Sequence, residues 1–207
     1  VAPSSPVYII GSEVPIPGGA QNLEDHITIT TPAAYLNTVE SFKRSFIEHG
    51  LESAFERVLG VVVQPGVEFS ETEVFSYDSV AAKELISALK QTPGLVFEGH
   101  STDYQSRDCL RSMVRDGIRI LKVGPALTFA LRESLFALEQ IEKELPYRFL
   151  RSDFRATLEA VMCKAPDQWH KHYHGDAKGI RMSRAFSFSD RARYYLPDPL
   201  VLTSIDL

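Results

Sequence analysis

Apolar positions along the 207-residue chain follow two alternating rhythms. Short runs in which nearly every residue is apolar alternate with longer stretches in which apolar residues return every three or four positions. The first run, VYIIGSEV at 7–14, is β-rich and passes into EVPIPGGA, a Pro/Gly stretch that cannot continue a strand. Tyr35, Leu36, Val39, Phe42 and Phe46 then recur at helical spacing, and Thr31-Pro32 supplies an N-cap and a first-turn proline. VLGVVVQPG (58–66) predicts a fully apolar strand stopped by Pro65-Gly66. Ala82, Leu85, Ile86 and Leu89 mark the next helix, and LVFEG (95–99) the next strand. A helix carrying Leu110, Met113 and Val114 follows, then a fourth strand, IRILKVG (118–124). Pro125 opens a long helix with Leu127, Ala130, Leu131, Leu135, Leu138, Ile141 and Leu145 on one face.

That order is β-α-β-α-β-α-β-α. Strands joined through helices run parallel, and near-continuous apolar strands fit a sheet that is buried. Two α/β architectures satisfy it: an open doubly wound sheet, or four units of a (β/α)8 barrel. The first strand-to-helix connection lacks a GxGxxG turn, since Gly18-Gly19 follow Pro15 and Pro17 in a different kind of loop, and no GxxxxGK[ST] loop occurs. The βα pattern therefore fills 1–145. Residues 146–207 read as an extension of different character: one helix over Phe154, Leu158, Val161 and Met162, then aromatic, basic and irregular segments.

Composition narrows the function classes. A net charge of -5 argues against nucleic acid, whose phosphates require clustered Lys and Arg. No apolar stretch reaches the ~20 residues of a membrane span. Cys109 and Cys163 form no CxxC pair, so a reducing, cytoplasmic setting is the expectation. The start, VAPSSPVYII, has no signal pattern and reads as a cut or processed beginning.

Each predicted strand ends in polar residues: Ser12 and Glu13; Gln64 and then Glu68; Glu98, His100 and Ser101; Lys122 and Gly124. In parallel α/β folds the carboxyl ends of the strands share one face, where ligands bind. Glu13, Glu98 and Lys122 sit at or inside apolar strands, where unpartnered charge is rarely tolerated. They suit either a buried ion pair between Lys122 and a glutamate, or an acid/base pair or Schiff-base lysine. His100 suits a metal ligand, a general base or a hydrogen-bonded lip residue. Gly124-Pro125 suits either a phosphate-binding helix start or a tight turn with proline at its first helical position. His170, His172 and His174 would share a face if extended, inviting either a metal or an aromatic, polar surface. Arg181, Arg184, Arg191, Arg193, Tyr194 and Tyr195 read as a packing or subunit surface.

IGSEVPIPGGA, VVVQPGVEF, FEGHSTDYQ, ILKVGPALTFALRE and the late HYHGD…FSFSDRARYY resemble the GatZ/KbaZ family over nearly the whole chain. These are the non-catalytic subunits of class II D-tagatose-1,6-bisphosphate aldolase, often named as tagatose-6-phosphate kinases. The resemblance implies the second half of a class II aldolase-like (β/α)8 TIM barrel, its last four βα units, with part of a C-terminal extension. It implies a chaperone-like role in galactitol, N-acetylgalactosamine or tagatose 6-phosphate breakdown, sustaining a catalytic aldolase subunit as partner. A metal-dependent aldolase, or a kinase, is the alternative. Catalytic relatives bind zinc through histidines at strand ends. Here Glu98 fills one such place, His100 lies two positions on, and QPGVEF carries no histidine at another. His100 is the zinc ligand this chain would offer, and Gly18, Gly19, Ser101, Thr102 and Gly124 the sugar-phosphate contacts. A half-barrel leaves two strand edges open, so self-association of the isolated fragment is expected.

Overall fold

A computed structural model describes residues 5–12, 27–146 and 151–206. They form two compact units, one of residues up to 69 plus 74–123, the other of 70–73 plus 124 onward.

The first unit is built on a parallel four-stranded sheet. Its strands are β1 (Tyr8–Ile10), β2 (Val58–Val63), β5 (Val96–Gly99) and β6 (Ile118–Leu121), in the order β1-β2-β5-β6. Between β2 and β5 the chain makes a small antiparallel hairpin that the apolar pattern does not foretell, β3 (Glu68–Phe69) with β4 (Val74–Phe75). The connecting helices are α1 (Pro32–Glu48), the single-turn α2 (Glu52–Phe55), α3 (Lys83–Ala88) and α4 (Arg107–Arg115).

Local chemistry sets the element ends. Thr31 caps α1 by accepting the Ala34 N–H at 3.1 Å, with Pro32 first in the helix. Ser106 caps α4 by accepting the Cys109 N–H at 3.2 Å. After β2 the Gln64 side chain accepts the N–H groups of Gly66 (2.9 Å) and Val67 (3.1 Å), closing a turn in which Gly66 takes φ +91°. Gln64, a candidate strand-end polar group, is thus occupied in shaping the backbone.

The core lies on one face of the sheet. Val61, Val63, Phe97 and Ile118 pack there against Tyr35 of α1, Leu85 and Ala88 of α3 and Met113 of α4. Tyr35 meets Phe97 edge-to-face at 5.1 Å. Burying each such side chain stabilises the fold by roughly 1.5–3 kcal/mol. The opposite face carries Ile9, Gly60, Val62, Glu98 and Ile120, and Ile9 remains 40% exposed. Gly60 matters there, because a Cβ would stand 3.3 Å from the Ile120 Cδ1 and 3.6 Å from the Ile9 Cδ1.

The second unit is helical: α5 (Pro125–Glu144), α6 (Phe154–Lys164), α7 (Ala177–Phe186) and α8 (Pro199–Asp206). Phe136 from α5 meets Phe154, Leu158, Val161 and Met162 from α6, with Ala192, Tyr195 and Val201 completing the cluster. Beyond residue 151 this unit alternates helices with 3-10 turns and irregular segments. The long helix α5 presents a different face than its apolar spacing suggests. Leu127, Leu131, Leu138, Ile141 and Leu145 are exposed among the described residues, while Arg132, Phe136 and Glu139 are buried.

Candidate functional site

Beyond the carboxyl ends of β2 and β5 lies a group of buried polar side chains: Glu68, His100, Thr102, Asp103 and Gln105. Glu98 lies in the β5 register opposite Val62 and Ile120, on the sheet face that the helices leave uncovered. His100 follows two residues later. Its Nε2 stands 2.7 Å from Glu98 Oε1, with both side chains nearly enclosed. A carboxylate on one ring nitrogen fixes the imidazole's orientation and leaves the other nitrogen for proton transfer.

Beyond His100 the backbone turns sharply. Ser101 (φ 53°) and Tyr104 (φ 62°) both adopt left-handed conformations that side chains disfavour. Each turn residue is tied elsewhere. Thr102 donates its hydroxyl to the Lys122 carbonyl at 3.1 Å, joining this loop to the end of β6. Gln105 accepts the Tyr77 N–H at 2.9 Å and donates to the Phe75 carbonyl at 2.9 Å, fastening the segment after β4. Tyr104 packs edge-on to Phe69.

Glu68, at the start of β3, reaches the same loop. Burial pushes its carboxyl above the ordinary glutamate value. The Phe69 N–H and the Ser101 side chain draw it back by hydrogen bonding, and nearby Asp103 pushes it up again. Ser101, the residue after His100, therefore ties the Glu68 carboxyl to this loop. From the sequence Glu68 reads only as a polar residue after a strand. The hairpin that buries it is set by contacts no local pattern encodes.

The other expected residues are distributed differently. Lys122 is exposed, and the partner of Glu98 is His100, so a buried Lys122–glutamate pair is not the arrangement found among the described residues. Ser12 shares a 2.5 Å hydrogen bond with Thr38 of α1. Thr102 has a structural role in the loop. Gly124 stands at the N-terminus of α5, in the second unit. Glu13, Gly18 and Gly19 lie outside the described residues. His170 and His172 fall in short turns and His174 in an irregular segment rather than an extended strand, with His172 bonded to Arg191 and His170 to the Pro166 carbonyl. Among the described residues no three His, Cys, Asp or Glu side chains converge as metal ligands. Glu98 and His100 are a pair where a catalytic zinc takes three protein ligands, so no chemical step is derived through a metal.

Residues 2–207 match the family model described as D-tagatose-1,6-bisphosphate aldolase subunit GatZ/KbaZ-like. The chain belongs to the GatZ/KbaZ-like family. Among relatives of this GatZ/KbaZ-like chain is the D-tagatose 6-phosphate 4-epimerase of Agrobacterium fabrum, 48% identical over 200 residues, which cover 97% of the chain and 47% of the relative. A crystal structure of a probable tagatose 6 phosphate kinase from Sinorhizobium meliloti 1021 superposes with a TM-score of 0.86 at 46% identity, covering 97% of this chain and 49% of that one. The chain spans about half the length of the relatives it matches.

Proposed function

We propose that the GatZ/KbaZ-like protein acts on a ketohexose 6-phosphate, D-tagatose 6-phosphate, and inverts its C4 by breaking and re-forming the C3–C4 bond. The observation that carries this is the 48% identity to a 4-epimerase across 97% of the chain, over a stretch that includes the enclosed Glu98–His100 pair. The C4 hydrogen of a 2-ketose is not adjacent to the ketone, so removing it directly finds no stabilised carbanion. Cleaving C3–C4 does. A base takes the O4 proton, C4 becomes an aldehyde, and the bonding pair passes into an enediolate over C2 and C3. Turning the aldehyde and adding the enediolate to its other face, with the proton returned to O4, gives the C4 epimer, fructose 6-phosphate. No electrons are gained or lost.

In this scheme the Glu98-oriented His100 moves the O4 proton, and Glu68, whose carboxyl burial raises above its ordinary value, is the further titratable group beside it. The scheme also accounts for the family description, because an aldolase breaks the same kind of bond and releases the pieces. The phosphoryl transfer implied by the name of the Sinorhizobium protein would need a nucleotide, and no GxxxxGK[ST] loop is present in this chain.

Two features of the first unit support reading the chain as half of a (β/α)8 barrel. The strand order runs without reversal, and the helices pack on one face. Nuclear magnetic resonance of the full-length protein with D-tagatose 6-phosphate tests the function: fructose 6-phosphate should appear and be lost in Glu98→Gln. No conversion by the wild type sinks the reading.

The family description favours a second reading, a non-catalytic subunit that sustains a catalytic tagatose-bisphosphate aldolase. Co-purification with that subunit and a rise in its activity would support this alternative. Absence of both removes it.

A further inference from the structure

A cavity of about 380 Å³ opens in the helical unit among α5, α6 and α7, and none of its residues takes part in the proposed chemistry. Its volume falls within the roughly 300–1,000 Å³ of small-molecule sites. Phe136 of α5, Leu158 and Met162 of α6 and Ala185 of α7 make its wall apolar. Six charged side chains stand with them: Lys143, Arg155, Arg181 and Arg184 against Glu139 and Glu159.

Both acids are engaged. Glu139, 4% exposed, meets Lys143 at 2.9 Å through one oxygen and accepts the Arg155 backbone N–H at 3.1 Å through the other. Glu159 takes the fork of Arg184, Nε on one oxygen at 3.0 Å and Nη2 on the other. That fork outweighs burial and holds the Glu159 carboxyl below its ordinary value, so it stays ionised. Two cations of the four are left over. Among the described residues neither Arg155 nor Arg181 meets a carboxylate.

Arg155 is held in place nonetheless. Its guanidinium carbon lies 5.3 Å from the centre of the Phe136 ring and 5.1 Å from that of Phe186. The two aromatic rings orient the fork and leave its N–H donors unused. Phe136 is also part of the wall, so this cation stands at the edge of an apolar surface. A half-buried charge without a counter-ion carries a desolvation cost that an incoming anion offsets. Cys163 lines the cavity too, and burial, then the Glu159 charge, pushes its thiol up, so it remains neutral and offers Arg155 and Arg181 no negative charge.

We propose that this cavity binds a small amphipathic carboxylate, its apolar body against Phe136, Leu158 and Met162 and its carboxylate on the Arg155 and Arg181 guanidiniums. A planar carboxylate matches a guanidinium fork, and an apolar body covers the wall. An inorganic anion would meet the same charges and leave the wall wet.

The test is titration of the full-length protein with 3-phenylpropionate, its uncharged amide and inorganic phosphate. Calorimetry reads affinity, and mass spectrometry reads the rate at which iodoacetamide alkylates the exposed Cys163. The acid should bind about tenfold more tightly than the amide or phosphate and should slow alkylation of Cys163. Arg155→Gln and Arg181→Gln should each remove most of the preference for acid over amide, whereas Lys43→Gln, exposed on α1, should leave it intact. Arg181 is exposed, so its variant decides even where Arg155→Gln disturbs the packing of Phe136 and Phe186. Wild-type protein that does not bind the acid, binding that leaves Cys163 alkylation unchanged, or a preference that survives Arg181→Gln overturns the proposal. Phosphate bound as tightly as the acid overturns it as well, since the apolar wall would then contribute nothing.

Discussion

Replacing Asp190 with alanine isolates the interaction that holds the Arg191–Tyr194 turn against α5. Arg132 is fully buried, stacked between Phe129 (4.7 Å) and Phe136 (5.4 Å) of its own helix. Its Nε donates to Asp190 Oδ1 at 2.9 Å, and that carboxylate is 1% exposed. Its Nη1 reaches the Ala185 carbonyl and Glu133, whose side chain is 45% exposed and therefore screened. Removing Asp190 leaves a buried cation with one solvent-screened partner. Breaking a buried pair from one side costs about 3–5 kcal/mol. With a urea dependence of about 2 kcal/mol/M, the midpoint should fall by about 2 M. Trp169, the chain's one tryptophan, reports on this unit through its stacking on Tyr173 and its 2.7 Å bond to the Met162 carbonyl. The double variant with Arg132→Met removes both charges, so it should be more stable than the sum of the single losses predicts, by about 2 kcal/mol or more. A loss under about 1 kcal/mol, or strict additivity, would refute the reasoning.

Glu68 predicts a pH effect. Because its folded value lies above its unfolded one, its contribution to stability is full below the ordinary carboxyl range and is lost as pH rises through the raised value. Glu68→Gln should flatten that part of a stability–pH curve measured by urea unfolding, and an unchanged curve would exclude the effect. Gly117 adopts φ +98°, and a Cβ there would lie 2.5 Å from Leu89 Cδ2. Gly117→Ala should cost about 1–3 kcal/mol in thermal unfolding. Thr31→Ala removes the α1 cap and should cost about 1 kcal/mol in the same assay.

The apolar rhythm located β2, β5, β6 and the starts of α1 and α5, because strand burial and helix caps are local properties. It misread the face of α5. Leu127, Leu131 and Leu138 repeat at helical spacing, but the buried side is built around Arg132 and Glu139, whose charges are met by Asp190 and Lys143. The Asp190 partner lies 58 residues along the chain, beyond the reach of any periodicity. The site was half legible. Glu98 and His100 stood out as polar groups ending an apolar run, and their 2.7 Å contact follows from i, i+2 placement on an extended chain. Glu68 did not stand out, since its perturbation comes from burial in a hairpin of two-residue strands. Arg181 read as a packing residue, and only the folded helical unit sets it at one cavity with Arg155.

The central claim is that C4 of a ketohexose 6-phosphate is inverted by breaking C3–C4 rather than by removing the C4 hydrogen. Conversion of D-tagatose 6-phosphate by the full-length protein in deuterium oxide, followed by nuclear magnetic resonance, tests it directly. The account predicts fructose 6-phosphate that keeps its original hydrogen at C4. Deuterium at C4, or no fructose 6-phosphate at all, would contradict it.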